Sequence, residues 1–184
     1  MSDPLKLIAI VGMPGSGKSV AADYFRSQGV PVLRFGDQTE IGLKELKLAI
    51  NEKNEREYRE NIRKELGMAA MAIKIEPRIR ATASDHRTIA LDGLYSWEEY
   101  VYLKGKFPQL ILLAIFAIPS IRYARLKARL VRPLTGSEAQ SRDVAEIEHL
   151  NKGGPIAMAD YLIRNEGNRE AYKKELELFY QAIR

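Results

Sequence analysis

Short apolar runs alternate with amphipathic stretches along most of this chain. Five of the runs predict strands, because each has strand length and turn residues at its ends: 5–11, 30–35, 88–92, 109–117 and 160–165. The stretches between them carry helix signals, such as Pro119 in the first turn of one helix and Ser96 with Glu99 as a capping box before another. Alternating strands and helices predict an α/β protein whose parallel sheet is covered by helices on both faces.

The helices predicted from the same pattern occupy 18–28, 119–132, 137–150 and 168–183. A further helical region covers roughly 39–84, with breaks expected near Gly67 and Pro77. The segment 152–155 is expected to be a loop. Trp97, the only tryptophan, is expected in the core.

A glycine-rich motif stands between the first strand and the first helix: Gly12-Met13-Pro14-Gly15-Ser16-Gly17-Lys18-Ser19. A strand followed by G-x-x-x-x-G-K-S and a helix is typical of a phosphate-binding loop. Backbone amides of such a loop surround an anion, and the helix directs its positive end at it. We therefore expect the chain to bind ATP. Lys18 would reach the β- and γ-phosphates, Ser19 would offer its hydroxyl to Mg²⁺, and the loop would supply Gly12, Pro14, Gly15, Ser16, Gly17 and Val20.

Polar residues also follow three of the other strands. Asp37, Asp92 and Asn165 lie at strand carboxyl ends, where ligands bind in parallel sheets. Asp92 is the expected second residue at Mg²⁺, which prefers oxygen ligands. Asp37 is expected to orient or deprotonate an acceptor hydroxyl. With a phosphate as acceptor, Asp37 would instead bind ribose or contact Mg²⁺ indirectly.

The composition of the 184 residues, 46% apolar and 29% charged, is that of one soluble globular domain covering residues 1–184. The longest apolar run, 110–118, is too short to span a membrane. The first residues lack the pattern of a signal peptide, and the absence of cysteine excludes disulfides and thiolate metal sites. These features lead us to expect a cytoplasmic protein without a membrane partner.

The net charge of +5 is concentrated in one part of the chain. No acidic residue lies between Glu99 and Glu138, and the basic residues of that interval are Lys104, Lys106, Arg122, Arg125, Lys127, Arg129 and Arg132. Helical spacing puts Arg122, Arg125 and Arg129 on one face and Tyr123, Leu126 and Leu130 on an apolar face. We expect Arg125 and Arg129 to reach the transferring phosphate, with Arg132 and Arg142 closing over it.

A second set of arginines, Arg56, Arg59 and Arg63, is interleaved with glutamates. This pattern favours surface ion pairs, and Arg63 is kept as a candidate for the phosphate of the acceptor.

Several kinds of nucleotide-binding protein can be separated by motif. The segment 151–154, Asn-Lys-Gly-Gly, lacks the aspartate with which GTPases recognise guanine. Gly93 follows Asp92 where large ATPases have a catalytic glutamate, which favours transfer to a bound acceptor over hydrolysis. Few aromatic residues accompany the arginine cluster, so nucleic acid is an unlikely partner. A nucleotide-dependent nucleic-acid-binding or regulatory module remains the alternative of another class.

Four further segments accompany the phosphate loop: Phe35-Gly36-Asp37, Leu91-Asp92-Gly93, the basic helix 122–129, and 159–167 with Ala-Asp-Tyr and Asn-Glu-Gly. With them the chain resembles the nucleoside monophosphate kinase-like branch of P-loop proteins. It is most similar there to dephospho-CoA kinases and to archaeal-type adenylate-kinase-like proteins. It departs from the pattern at Leu94-Tyr95, where related proteins often carry an arginine.

The resemblance implies a three-layer P-loop NTPase fold with a five-stranded parallel sheet and a mobile lid at 130–153. It implies a helical acceptor-binding region at 38–86, and adenine beside Asn165 and Gly167. The implied reaction transfers the γ-phosphoryl group of ATP, with Mg²⁺, to a nucleotide-like small molecule. The 3′-hydroxyl of dephospho-CoA is the first expectation for the acceptor, and a nucleoside monophosphate is the alternative.

Overall fold

The structure, a computed structural model, describes residues 4–184. Five strands and nine helices lie in that part of the chain. Their order is β1 (Lys6–Val11), α1 (Lys18–Ser27), β2 (Val32–Arg34), α2 (Asp37–Glu45), α3 (Glu52–Leu66), α4 (Ala70–Thr82), β3 (Thr88–Asp92), α5 (Trp97–Lys106), β4 (Ile111–Phe116), α6 (Pro119–Lys127), α7 (Gly136–Glu148), α8 (Gly153–Ala157), β5 (Tyr161–Arg164) and α9 (Arg169–Ile183).

The five strands form one parallel sheet in the order β2-β3-β1-β4-β5. β1 is central, with Ile8 opposite Ala90 of β3 and Ile111 of β4. Alternate residues of β1 enter two separate apolar cores, so both faces of the sheet are buried. Helices α1 and α9 cover one face and α2 to α5 cover the other. The predicted three-layer α/β fold is confirmed.

All five strands point the same way, so their carboxyl ends meet at one edge of the sheet. The phosphate loop follows β1 there, Asp37 opens α2 after β2, and Asp92 ends β3. Asn165 follows β5, and its backbone N–H donates to Phe116 of β4. The expected convergence of these four segments is therefore present.

The helical region before β3 differs from the prediction at two points. The chain leaves helix after Glu45 and returns at Glu52, with Asn51 as N-cap accepting from the Asn54 N–H at 2.9 Å. The predicted breaks do not include this one, although asparagine before a helix is a capping signal. The break expected at Pro77 is wrong, because α4 runs through it. Pro77 is exposed while Ile75 and Ile79 on the same helix are fully buried, so packing outweighs the lost hydrogen bond.

The basic helix ends earlier than expected, at Lys127 instead of Arg132. Leu130 is consequently fully exposed, and Leu126 alone keeps its predicted place in the core. The next helix, predicted from 137, begins at Gly136 and is capped by Thr135 with Glu138. A short helix, α8, occupies the predicted loop around 152–155.

The prediction that Trp97 lies in the core is also wrong. Its side chain is 38% exposed and packs on Gly154, where an added Cβ would meet the indole at 2.7 Å. The capping box that precedes it is confirmed, because Ser96 accepts from the Glu99 N–H at 3.0 Å and Glu99 accepts from the Ser96 N–H. The predicted strand ends differ by one or two residues, as at β4, which begins at Ile111 and ends at Phe116.

The proline inside α4 gives a direct stability prediction. Pro77→Ala restores an N–H donor to an exposed position of a helix that is already formed, so we expect about 1–3 kcal/mol of stabilisation in urea unfolding. Lys74→Ala, also exposed on α4, is the matched control and should leave the midpoint nearly unchanged. A Pro77→Ala protein that is no more stable than the wild type would contradict this account of α4.

Candidate active site at the carboxyl edge of the sheet

The phosphate loop connects β1 to α1 through glycines that no larger residue can replace. Gly15 and Gly17 have φ values of 79° and 106°, in the left-handed region. A Cβ on Gly15 would also meet the Arg122 carbonyl oxygen at 2.7 Å. α1 has no side-chain cap and no acidic residue in its first turn. Its positive end is therefore left for an anion.

Two polar side chains of the loop have the character of phosphate ligands. The Ser16 hydroxyl is buried without a hydrogen-bond partner among the described residues. Lys18 lies along the loop and donates from Nζ to the carbonyl oxygens of Gly12 at 2.8 Å and Met13 at 3.1 Å. Burial and the nearby ammonium of Lys152 lower the pKa of Lys18 to about 7. Both groups would gain from a bound phosphate, which accepts hydrogen bonds and carries negative charge.

The loop is held from outside by a buried arginine. The Arg122 guanidinium donates to the Pro14 carbonyl at 3.0 Å and to the Ala117 carbonyl at 3.0 Å. It also forms a two-pronged pair with Asp143 of α7 at 2.9 and 2.6 Å. Arg122 shares a predicted helix face with Arg125 and Arg129, but unlike an exposed or ligand-binding arginine it is buried and fixes the loop.

Three other contacts complete the support of the loop. Asn165 donates from Nδ2 to the Ser16 carbonyl at 2.7 Å, and Tyr172 donates from its hydroxyl to the Gly17 carbonyl at 3.1 Å. Arg125 lies 3.4 Å from the Gly15 carbonyl. Together they tie the phosphate loop to α6, β5 and α9.

A cavity of about 470 Å³ opens over the loop. Within residues 4–184, six cationic side chains and two carboxylates line it, and these are Lys18, Arg34, Arg125, Arg129, Arg142 and Lys152 with Asp92 and Glu146. Ser19 lines it as well. The excess of positive charge suits a ligand with several phosphates.

A second cavity of about 490 Å³ adjoins the first. Its lining includes Asp37, Arg59 and Arg63, together with residues of α2 and α4. The two cavities share four lining residues, and these are Arg34, Tyr95, Arg142 and Glu146. Ligands in the two cavities would therefore meet at this shared wall.

The two predicted aspartates lie on opposite sides of one arginine. Arg34 is 3.8 Å from Asp92, which lines the first cavity, and 3.9 Å from Asp37, which lines the second. Arg78 of α4 lies 3.6 Å from Asp37. Both carboxylates therefore stay beside positive charge.

A small cavity of about 200 Å³ lies on the far side of the loop. Its walls include Val20, Arg125, Asn165 and Gly167. The residues that the resemblance implied for adenine are thus together at one recess.

Of two further predicted positions, one differs from the expected arrangement and one agrees with it. Arg132 lines neither of the two adjoining cavities, and its side chain is 84% exposed and lies 3.8 Å from Glu52. Its φ of 52° shows that the chain has already left the helix. Arg56 pairs with Glu60 at 2.9 Å, as the interleaved charges predicted.

Sequence reasoning misses three residues of the first cavity, and these are Lys152 together with Glu146 and Tyr95 of the shared wall. Lys152 is 1% exposed, its Nζ contacts Glu146, and its ammonium lies 4.5 Å from the centre of the Tyr95 ring. The sequence pattern puts Lys152 in a loop and Glu146 on a helix without a functional role. The one sequence feature that could have drawn attention to Lys152 is its position before Gly153, Gly154 and Pro155, residues that favour a change of chain direction.

The residues also fit a magnesium ion. Ser19 and Asp92 line the same cavity and both offer oxygen, the ligand that Mg²⁺ prefers. No cluster of three His, Cys, Asp or Glu side chains that could hold a metal occurs in residues 4–184. An ion held there would take its remaining ligands from phosphate and water.

None of the helices in residues 4–184 combines the length and the apolar character that crossing a bilayer requires.

Comparison with known proteins agrees with this architecture. Residues 8–145 match the model of an AAA domain. A UPF0200 protein of Thermococcus kodakarensis is 33% identical over 181 residues, which cover 96% of this chain and 97% of that protein. A UPF0200 protein of Pyrococcus abyssi is 32% identical over 193 residues, with 96% of each chain covered.

Solved structures with the same fold include kinases. The structure of TT1252 from Thermus thermophilus has a TM-score of 0.66 at 21% identity and covers 98% of this chain and 99% of that one. Shikimate kinase from Bacteroides thetaiotaomicron has a TM-score of 0.62 at 11% identity, with 97% and 98% covered. A gluconokinase from Sinorhizobium meliloti 1021 has a TM-score of 0.54 at 15% identity, with 98% and 99% covered. The likeness is one of fold.

The buried Arg122–Asp143 pair yields a prediction about stability. Asp143→Ala leaves a buried guanidinium without its partner, so we expect a loss of about 3–5 kcal/mol in urea unfolding. Arg56→Ala removes one member of an exposed pair and should leave the unfolding midpoint unchanged. Equal small effects of the two substitutions would show that Arg122 does not anchor the loop.

Proposed function

We propose that this chain, which belongs to the UPF0200 family and has the fold of the P-loop kinases, is an ATP-dependent phosphotransferase acting on a small anionic acceptor. The observation that carries the proposal is the pair of adjoining cavities. The first is lined by the phosphate loop and Asp92, and the second by Asp37 and Arg63. A donor and an acceptor bound in them would share one wall.

The donor side suits ATP. The buried Ser16 hydroxyl, the open end of α1 and the cationic wall all favour a chain of phosphates. Adenine would fit the small recess, beside Asn165 and Gly167. Ser19 and Asp92 would hold Mg²⁺, which neutralises phosphate charge when bound.

The acceptor side suits a molecule with a hydroxyl and a negative charge. Arg59 and Arg63 of α3 line the second cavity, and Arg34 and Arg142 stand at the shared wall. Five acidic side chains line it as well, so the negative group of the acceptor would bind to individual arginines and not to an overall positive charge, and these are Asp37, Glu40, Glu55, Glu99 and Glu146. Asp37 would orient the acceptor hydroxyl and accept its proton. Dephospho-CoA, with its 3′-hydroxyl, is our first candidate, because of the resemblance of 159–167. A nucleoside monophosphate is the second.

The residues after β3 favour transfer over hydrolysis. Gly93 and Leu94 are both buried after Asp92, and neither can activate water. The residues of the site would therefore act by positioning and by charge neutralisation, which phosphoryl transfer mainly requires. Lys18 would bind the β- and γ-phosphates, and Arg125 and Arg129 the transferring group.

A direct assay tests this function. We expect purified protein with ATP and Mg²⁺ to add one phosphoryl group to dephospho-CoA or to a nucleoside monophosphate, as weighed by mass spectrometry, with shikimate as a comparison acceptor. Lys18→Ala should reduce transfer by about 10²-fold or more, because it removes a charge aimed at the reacting phosphates. Arg56→Ala is the control and should retain full activity.

Equal activity of Lys18→Ala and the wild type would overturn the assignment of the loop. Asp37→Asn then separates the two acceptors. With a hydroxyl acceptor, kcat should fall by about 10²–10⁴-fold because the base is lost. With a phosphate acceptor, the change should be mainly in KM. A salt-sensitive gel shift on RNA or DNA, without turnover of any acceptor, would support the nucleic-acid alternative instead.

The lowered pKa of Lys18 predicts how ATP binding depends on pH. At a pKa of about 7, the free protein increasingly carries the neutral amine above neutrality. Phosphate binding must then recharge it, so affinity for Mg–ATP should fall as pH rises from about 6 to about 9, with uptake of up to about one proton. Calorimetry in buffers of different ionisation enthalpy measures this uptake.

Lys18→Arg is the matched control, because its guanidinium stays charged throughout this range. Its affinity, whatever the absolute value, should not change with pH as that of the wild type does. The same pH dependence in both proteins would show that another group titrates.

A further inference from the structure

The first cavity is lined by a lysine that no sequence motif requires. Lys152 is 1% exposed, in the turn between α7 and α8. Its backbone N–H donates to the Glu146 carbonyl at 3.2 Å, its Nζ contacts the Glu146 carboxylate, and it faces the Tyr95 ring. The side chain lines the first cavity together with Lys18. It is therefore a fixed cation inside the space over the phosphate loop.

Glu146 is held from two sides. Arg142 donates from Nε to one carboxylate oxygen at 3.0 Å, and Lys152 donates to the other. Glu146 is itself buried and lines both cavities. A carboxylate thus stands at the junction of the cavities with two cations on its two oxygens. A phosphoryl group presents oxygens of the same kind and attracts the same donors.

Burying the charges of Lys152 and Glu146 costs free energy, which a purely structural role for the pair would have to offset. Burial lowers the pKa of Lys152, and the Glu146 carboxylate opposes that shift. Lys18 and Arg142 bring further positive charge to the same place. A buried ion pair is commonly no more stable than apolar side chains of similar volume. A contribution to stability therefore does not explain the Lys152–Glu146 pair. Its position suits a role in ligand binding, because Lys152 lines the first cavity and Glu146 lines both.

We propose that Lys152 is a catalytic residue that binds the γ-phosphoryl group of the donor, and that Glu146 occupies the place of that group until the donor binds. Binding of the donor moves the Glu146 carboxylate aside and transfers Lys152 and Arg142 to phosphate oxygens. The inference rests on the proposed kinase function and adds to it a residue that the phosphate-loop motif does not contain.

The role of Lys152 in the transfer is electrostatic. The acceptor oxygen forms a bond to the γ-phosphorus, and the bond from that phosphorus to the β,γ-bridging oxygen breaks. The electron pair of the broken bond stays on the β-phosphate of ADP, and the acceptor proton passes to Asp37. Lys152 keeps its own protons and stabilises the negative charge on the oxygens of the group in transfer.

Binding of two nucleotides tests the proposal without an acceptor. Lys152→Met should weaken binding of Mg²⁺ with a non-hydrolysable ATP analogue by about 10-fold or more, while ADP binding changes less than about twofold, because ADP lacks the γ-phosphoryl group. Calorimetry measures both affinities. Lys173→Met, on the exposed face of α9, is the matched control and should change neither. Lys152→Arg, which keeps the charge, should recover part of the lost affinity.

Glu146→Gln tests whether the Glu146 carboxylate occupies the place of the γ-phosphoryl group or only stabilises the fold. Removing the competing charge should leave ADP binding unchanged and tighten binding of the ATP analogue. If the pair only stabilises the fold, Glu146→Gln and Lys152→Met should instead weaken both nucleotides alike. That result, or equal binding by Lys152→Met and the wild type, overturns the proposed role of Lys152 and leaves the proposed kinase function standing. A wild-type protein that binds neither nucleotide overturns the kinase function as well.

Discussion

The hydrogen bonds by which Arg122 holds the phosphate loop are the contacts on which the rest of the site depends. One guanidinium joins the Pro14 carbonyl, the end of β4 at Ala117 and the Asp143 carboxylate of α7. An anion-binding loop exposes many N–H groups in one direction, so its carbonyl groups point away and need donors behind them. Arg122 and Asn165 supply these donors from α6 and the end of β5. The loop therefore keeps its shape while its inner surface stays free.

The same arginine connects the phosphate loop to a helix that lines both adjoining cavities. α7 carries Asp143 toward the loop and Arg142 and Glu146 toward the cavities, within one turn of helix. Because Asp143 is fixed by Arg122, its neighbours on α7 are held in place over the cavity that contains Lys18. Two of the four residues of the shared wall, Arg142 and Glu146, thus belong to the helix that anchors the loop.

Much of the fold could be predicted from the sequence because its signals are local. Apolar runs of strand length identified all five strands, and the glycine-rich motif identified the loop before α1. The convergence of Asp37 and Asp92 could be expected from the rule that parallel strands end at one edge. The P-loop kinase structures agree with that interpretation at the level of the fold, while the relatives named above are UPF0200 proteins and not specifically dephospho-CoA kinases.

The features that the sequence did not yield depend on partners distant in the chain. Arg122 and Arg125 have the same spacing pattern, and only the presence of Asp143 nearby makes the first a scaffold. Pro77 signalled a break that burial of Ile75 and Ile79 prevents. Lys152 is buried and lines the first cavity because of contacts with Glu146 and Tyr95, which a loop signal in the sequence does not indicate. Tertiary packing decides which of these residues are buried and where the helices end, and the periodicity of the sequence contains no information on it.

The contact between Trp97 and Gly154 has a practical consequence. The only indole of the chain rests on the first turn of α8, two residues after Lys152, and is partly open to water. Its emission responds to changes in local polarity, so rearrangement of that turn would alter the fluorescence of the unlabelled protein. The molecule carries its own optical probe next to the wall where the two cavities meet.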